Sequence, residues 1–499
     1  MQRRQFMQTA LGASAAALTA PSALAAAVHA LAQVTDNVEA VTGSGRQVTI
    51  APAALAEHRD SLRGRLLLPG QEGYELARQV LNPGIDKHPA LVVQPAGAAD
   101  VMRAVEFARD RDLLLAVKCG GHSYGGKSTC DGGLQIDLST LRGTRVDPRA
   151  RRAHVAGGTL LGSLDHESMA HGLVTTSGTV SHTGVGGLTL GGGFGRLARR
   201  YGLALDNVTG VDIVTADGKL LHADAEQHPD LFWGVRGGGG NFGVVTNFDF
   251  RLHPMSRTVV GGNVVFPLAQ LRSLLRFYAD YSQQAPDDLY IDFIAASPLG
   301  SPDGAVILHV CYSGPPERAE AVLAPIHKAG TPLQNTIGSQ DYVAIQRSSD
   351  SDEPRNNAQY MKSGFVNAMP DALIDVIAEN FEGFTERRTV LLFQHAGGAA
   401  GRVPTDATAF AQRKAIANLL FFVEWPLAET PAEHVAYIRR QWARFEPFTD
   451  GWYANEVADE SAATVNSNYQ GNYPRLLQLK KRYDPTNLFR LNANVDPTA

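Results

Sequence analysis

The segment Lys118 to Gly126 reads K-C-G-G-H-S-Y-G-G and sets one histidine between two glycine pairs, directly after the apolar run Leu113 to Val117. Glycines on both sides of His122 remove the Cβ atoms that would hold a bulky anionic ligand away from the backbone amides. An imidazole at the mouth of such a cradle can act as a nucleophile toward an electrophilic ligand, or as an acid or base. Read alone, the same residues also suit a turn that carries a surface histidine.

Two further glycine-rich stretches give the first one its meaning. Ser177 to Gly195 reads S-G-T-V-S-H-T-G-V-G-G-L-T-L-G-G-G-F-G and is followed by Arg196, Tyr201, Gly202, Asp206 and Asn207. Arg236 to Thr246 reads R-G-G-G-G-N-F-G-V-V-T. Of the chain's 50 glycines, 17 fall in these three stretches, whose turns can line one extended diphosphate ligand. A nicotinamide-binding unit competes with this reading, because Gly193 to Ala198 fits G-x-G-x-x-A and Asp212 lies about twenty residues further on. Its context is poor. That fingerprint opens a helix straight after a strand, whereas this approach is glycine-rich back to Gly184, and Asp212 sits inside the apolar run Val208 to Val214.

With Tyr453-Ala454-Asn455, Asn472 to Leu476 and Lys481 to Arg490, these stretches resemble the berberine-bridge-enzyme-like family of FAD-linked oxidases, within the vanillyl-alcohol-oxidase class. The resemblance runs from Pro89 to Val495. It implies an α+β fold: a two-part PCMH-type FAD-binding domain (45–257), an antiparallel-sheet substrate domain backed by helices (258–450), and a C-terminal segment (451–499) that returns to the FAD domain. It also implies FAD bound covalently through His122, with Lys118, Cys119, Gly120, Gly121 and Ser123 beside it. Gly184, Gly186, Gly187, Gly192 and Gly195 would contribute from the second stretch, Val245 from the third, and Tyr453, Asn455 and Asn492 from the tail. Many relatives add a second link through a cysteine. That position falls on Val180 here, with no cysteine nearby, so a single link is expected.

In this family the flavin takes hydride at N5 while a base removes a proton, and reduced flavin is reoxidised, by dioxygen in an oxidase. Expected substrates are small alcohols, sugars or cyclic amines. A dehydrogenase with another acceptor, or an inert ligand-binding relative, is the alternative, and the oxygen-gating position corresponds to Thr183. Tyr453 is the first candidate for the base, and Glu456, which stands where relatives often carry an aromatic residue, is the second. Bridge-forming plant enzymes use a glutamate on the strand after an F-x-x-R motif. Here that motif is Phe410 to Arg413, and the strand Ile416 to Val423 offers only Asn418, which counts against bridge formation. His182 and His395 read as structural.

Length and composition fit this picture. The 499 residues are 44% hydrophobic and 19% charged, as in soluble multidomain proteins. A net charge of −5 and a pI near 6.3 argue against nucleic acid as a partner. Arg3-Arg4-Gln5-Phe6-Met7, an alanine-rich stretch and Ala23-Leu24-Ala25 look like a twin-arginine export signal (1–25), which predicts a periplasmic or secreted protein. No strongly apolar run is long enough to predict a membrane span. Cys119, Cys130 and Cys311 cannot form a disulfide framework, though the first two are spaced so that they could pair. No cysteine or histidine cluster suggests a metal.

The remaining pattern predicts strands at Ala90 to Val93, Leu134 to Leu138, Ala153 to Ala156, Leu289 to Ala295, Val306 to Tyr312, Thr389 to Gln394 and Leu419 to Val423. Helices are predicted at Ala98 to Arg111, Pro315 to Gly330 and Asp371 to Gly383, with a long irregular loop from His395 to Phe410.

Overall fold

The short apolar runs of the first half are bounded by turn residues and become strands buried on both faces. In a computed structural model describing residues 36–298, 303–350, 356–382, 387–456 and 462–499, Leu91–Gln94 and Leu115–Lys118 flank Leu134–Asp137 in parallel. Arg65–Leu67 adds an antiparallel edge. The arginine pair and small-residue site of the N-terminus lie outside the described residues. Helix Ala98–Asp110 lays Val101, Ala104, Val105 and Ala108 on this sheet, the i, i+3, i+4, i+7 stripe of an amphipathic helix. Asp100 in its first turn accepts the amides of Arg63, Gly64 and Ala96, and Asp112, with φ of 52°, turns the chain away at its end.

A second, five-stranded antiparallel sheet follows in the order Leu220–Asp224, Val208–Val214, Val244–Arg251, Arg152–Ala156, Thr144–Asp147. Asp212 lies within its second strand and is bonded to His222 at 2.8 Å, and Gly193 is followed only by the short helix Ala198–Tyr201. Neither feature suits a nicotinamide fingerprint.

The third sheet is antiparallel and has eight strands. Its order is Gln334–Asn335, Thr258–Pro267, Ala305–Tyr312, Leu289–Ser297, Arg388–His395, Ala417–Pro426, Asn357–Val366, with Gly338–Asp341 also along Thr258–Pro267. Side chains alternate across a sheet with period two, and here both faces are used. Leu289, Ile291, Phe293, Leu391, Phe393, Leu419 and Phe421 pack under helices Leu271–Gln284, Asp371–Phe381 and Pro431–Phe445. Each such burial contributes about 1.5–3 kcal/mol. The other face, carrying Asp292, Ile294, Leu392, Gln394, Leu420 and Phe422, looks into a cavity shared with the glycine stretches.

Two of those covering helices, Leu271–Gln284 and Pro431–Phe445, are absent from the sequence reading, although Leu271, Leu274, Leu275 and Tyr278 carry the helical stripe. The loop after His395 contains a helical turn, Gly398–Gly401. His395 itself is buried and satisfied: Nδ1 accepts the Ile291 amide at 3.2 Å, and Nε2 lies 2.9 Å from the Ser282 carbonyl.

The C-terminal residues turn back to the first two sheets. Trp452, Tyr469, Leu476, Leu479 and Val495 enter the core of the five-stranded sheet, and Leu488 and Phe489 that of the four-stranded one. Fully buried Lys480 donates to Asp484 at 2.7 Å and to the carbonyls of Asn241 and Phe489 at 2.9 and 2.8 Å. Arg413 of the F-x-x-R motif clamps Asp206 with two 2.8 Å bonds, joining the loop after the third sheet's central strands to the turn beside the second glycine stretch. Among the described residues no helix is long and apolar enough to cross a membrane.

Candidate active site

The cradle is built by backbone meeting backbone. A Cβ on Gly120 would come within 2.3 Å of the Gly184 amide nitrogen, so the first two stretches can touch only because both residues are glycine. At Gly187 and Gly239 a Cβ would meet nothing within 4 Å, and bare main chain there faces open space. The cavity so formed, of about 530 Å³, is also lined by Cys119, Gly120, Gly121, His122 and Ser123, by Gly184 and Gly186, and by Val245 and Asn492. Three of the residues read as cofactor contacts stand behind this wall. The Lys118 ammonium is turned to the Ala77 and Gln79 carbonyls and to Asp137. Gly192 backs the Tyr453 ring, and Gly195 lies against the Ser177 carbonyl.

His122 meets a second imidazole. Its Nε2 is 2.7 Å from Nδ1 of His182, and its Nδ1 is 3.2 Å from the Thr183 hydroxyl. His182, which reads as structural in the sequence, is thus brought against His122 by the fold. Val180 lines the same cavity. Burial pushes the Cys119 thiol up to about 11, and its Sγ rests 3.8 Å from the Thr159 carbonyl. All three cysteines are free, so Cys119 and Cys130 are not paired. Bare glycine backbone, a cavity of this size and an imidazole on its wall fit an extended diphosphate cofactor. Among the described residues no group of three or more His, Cys, Asp or Glu side chains could hold a metal.

Tyr453, Asn455 and Glu456 line the same cavity. The Tyr453 hydroxyl oxygen accepts the Gly193 amide at 2.8 Å and Asn455 Nδ2 at 2.9 Å, while Asn455 Nδ2 also donates to the Leu188 carbonyl at 3.1 Å. Burial holds the Tyr453 hydroxyl well above the ordinary phenol range, outweighing the lowering effect of those bonds. Glu456 is 6% exposed and burial pushes its carboxyl up to about 7, against the opposing bonds from Asn418 and Ser363. Asn418 Nδ2 donates to Glu456 Oε2 at 3.0 Å.

Facing strands align the polar residues of the third sheet in one rung. Asn263 lies opposite His309, His309 opposite Asp292, and Gln394 opposite Asn418; Asp292 and Gln394 are adjacent, one step beyond the paired Phe293 and Phe393. His309 Nδ1 is 2.7 Å from Asn263 Oδ1, and its Nε2 accepts Arg196 Nε at 3.0 Å. Burial and then the Arg196 charge bring His309 down to about 3, so it is neutral. Asn418 Nδ2 also donates to Gln394 Oε1 at 2.8 Å. Asp292 is 6% exposed, burial raises its carboxyl to about 6, and its Oδ1 has no hydrogen-bond partner. Both Asp292 and His309 escaped the sequence reading; a single acid inside the apolar run Leu289 to Ala295 was the available signal.

Comparison with known proteins agrees with this geometry. A family model described as FAD binding domain matches residues 89–224, and one described as berberine and berberine like matches 453–496. An FAD-linked oxidoreductase of Dictyostelium discoideum is 31% identical over 88% of this chain and 96% of its own length. The (R)-6-hydroxynicotine oxidase of Paenarthrobacter nicotinovorans is 29% identical over 88% of this chain and 97% of its own. The crystal structure of 6-hydroxy-D-nicotine oxidase from Arthrobacter nicotinovorans superposes with a TM-score of 0.81 at 27% identity, covering 88% of this chain and 98% of that one. Matched at both ends by these family models and along 88% of its length by a 31% identical FAD-linked oxidoreductase, this chain is a member of the berberine-bridge-enzyme-like family of FAD-linked oxidoreductases.

Proposed function

We propose that this enzyme oxidises a C–OH or C–N group of a small molecule, holds FAD covalently through His122 alone, and uses dioxygen as acceptor. FAD, when bound, supplies the hydride acceptor at N5 and passes the electron pair on. The observation that carries the reading is Glu456, a buried carboxylate poised near neutrality on the cavity wall. A general base works best when its pKa lies near the operating pH, and Glu456 meets that condition where Tyr453 does not. Glu456 takes the substrate O–H or N–H proton on a carboxylate oxygen. Tyr453, whose oxygen already accepts two N–H groups, fixes the Gly193 turn and Asn455 instead. Asn418 occupies the strand on which bridge-forming relatives carry a glutamate, and its bond to Glu456 brings a carboxylate there from the following segment.

The contact with His182 supports covalent attachment: in the tautomer that donates from His122 Nε2, Nδ1, beside the Thr183 hydroxyl, is the nucleophile. Val180 and the high thiol pKa of Cys119 support a single link. Denatured protein is expected to stay yellow and to yield a flavin peptide containing His122; a cysteinyl flavin, or acid-stable flavin in His122→Ala, overturns the assignment. Hydrogen peroxide should form in air with each turnover, and reduced flavin that persists in air would identify a dehydrogenase instead. Relatedness to a 6-hydroxynicotine oxidase favours cyclic amines over sugars and alcohols, and a substrate panel scored by anaerobic flavin bleaching tests this. Export by the twin-arginine route completes the reading, and replacing Arg3 and Arg4 by lysine should strand the precursor in the cytoplasm.

A further inference from the structure

Asp292 is a buried carboxylate that the protein leaves incompletely satisfied. Its Oδ1 has no hydrogen-bond partner, the residue is 6% exposed, and it lines the cavity. Within the protein, the Tyr290 hydroxyl, the Arg196 charge and the His395 amide favour its ionised form. Arg196 acts on Asp292 only through its charge, because its hydrogen bonds go to His309, Gln346 and the Thr179 carbonyl. Desolvating a carboxylate without a full set of partners is costly, and a fold retains such a group where a ligand completes it. The sheet face around Asp292 carries Gln394 beside it and is otherwise apolar, made by Ile294, Leu392, Val390, Leu420 and Phe422. A sugar would lose the water from many hydroxyls against this wall and find few partners. A neutral alcohol would bring Asp292 a hydrogen bond but no charge.

Asp292 and Asn418, which holds Glu456, stand two strands apart on one rung, about 10 Å at the usual strand spacing. The group that meets Asp292 is therefore a different one from the group that gives its proton to Glu456.

We propose that Asp292 binds a protonated nitrogen at the end of an apolar substrate remote from the carbon that is oxidised, so that this enzyme selects cationic, apolar-bodied molecules. The proposal rests on the assignment of this cavity as the substrate site.

The test compares 4-phenylbutylamine with the isosteric neutral 4-phenylbutan-1-ol, each titrated into purified holoenzyme above neutral pH and followed by perturbation of the flavin spectrum. Wild type should bind the amine at least about tenfold more tightly than the alcohol, a difference of about 1.4 kcal/mol. Asp292→Asn should bind the two alike, with its affinity for the alcohol unchanged. Glu456→Gln should keep the preference. Equal binding by wild type, or a preference that survives Asp292→Asn, overturns the proposal. Ligand-free Asp292→Asn should also melt higher than wild type, because a desolvated charge with an unpartnered Oδ1 has been removed; a lower melting temperature would mean that the protein's own groups satisfy the carboxylate and would overturn the proposal too. If the asparagine variant does not fold, Asp292→Ser carries the same comparison. A chain that binds no flavin would sink the functional assignment alone. The amine-against-alcohol comparison is then read from ligand-induced melting shifts, where a preference abolished at Asp292 still supports this site.

Discussion

Glu456 and Tyr453 lie on one short segment, yet burial leaves the carboxyl near neutrality and lifts the phenol well above its ordinary range. Glu456→Gln should lower the anaerobic rate of flavin reduction by roughly a hundred- to ten-thousandfold, the usual worth of a general base, while Tyr453→Phe, measured the same way, should cost about tenfold. The wild-type rate should fall as pH drops through about 7, where the Glu456 carboxylate takes up its proton. Stability runs the other way. Because the folded-state pKa lies above the ordinary 4.5, Glu456 contributes nothing unfavourable below that value and becomes destabilising as pH rises through about 7. Glu456→Gln should therefore melt higher than wild type above neutral pH, by up to roughly 3 kcal/mol in unfolding free energy, and differ little in acid. The residue was legible in the sequence as a departure from the family pattern. Its tuning was not, because that depends on Asn418, far away in the chain and next to it only once the sheet forms.

The glycine stretches were legible as a group, but two different physical requirements are mixed within them. Gly184→Ala would drive a methyl to within 2.4 Å of Cys119 Sγ and 2.3 Å of the Gly120 amide, so it should lower both the melting temperature and the flavin content of purified protein. Gly187→Ala meets only open space inside helix Val185–Gly191. Alanine is the better helix former by about 1 kcal/mol, so flavin-free protein should melt no lower than wild type. Flavin content should nevertheless fall, because the methyl occupies the cofactor's approach. Absorbance ratios and melting curves on the two variants separate these outcomes. Composition cannot distinguish the two kinds of glycine, since the difference lies in which backbone faces which. Lys118, Gly192 and Gly195 show the same limit: motif membership placed them near the cofactor, whereas the chain uses them to brace the wall.

Across the whole molecule, the alternation of Leu289 to Ala295 and the stripe of Ala98 to Asp110 made strands and helices readable, while sheet order and the pairing of distant charges depended on tertiary contacts. The Arg413–Asp206 clamp is one such pairing. Arg413→Met should destabilise the protein by about 3–5 kcal/mol in chemical denaturation, because Asp206 would remain buried without its partner, and Asp206→Asn added to it should recover part of the loss. The returning C-terminal residues carry a consequence for synthesis. Tyr453, Asn455, Glu456 and Asn492 all line the cavity, yet they leave the ribosome after every strand of the three sheets. Domains fold as they emerge, so the glycine stretches and the apolar wall are in place while one side of the cavity still stands open. A nascent chain arrested before Gly451 offers its cofactor a doorway rather than a site, and docking of the tail, with Lys480 on the Asn241 carbonyl, shuts that door.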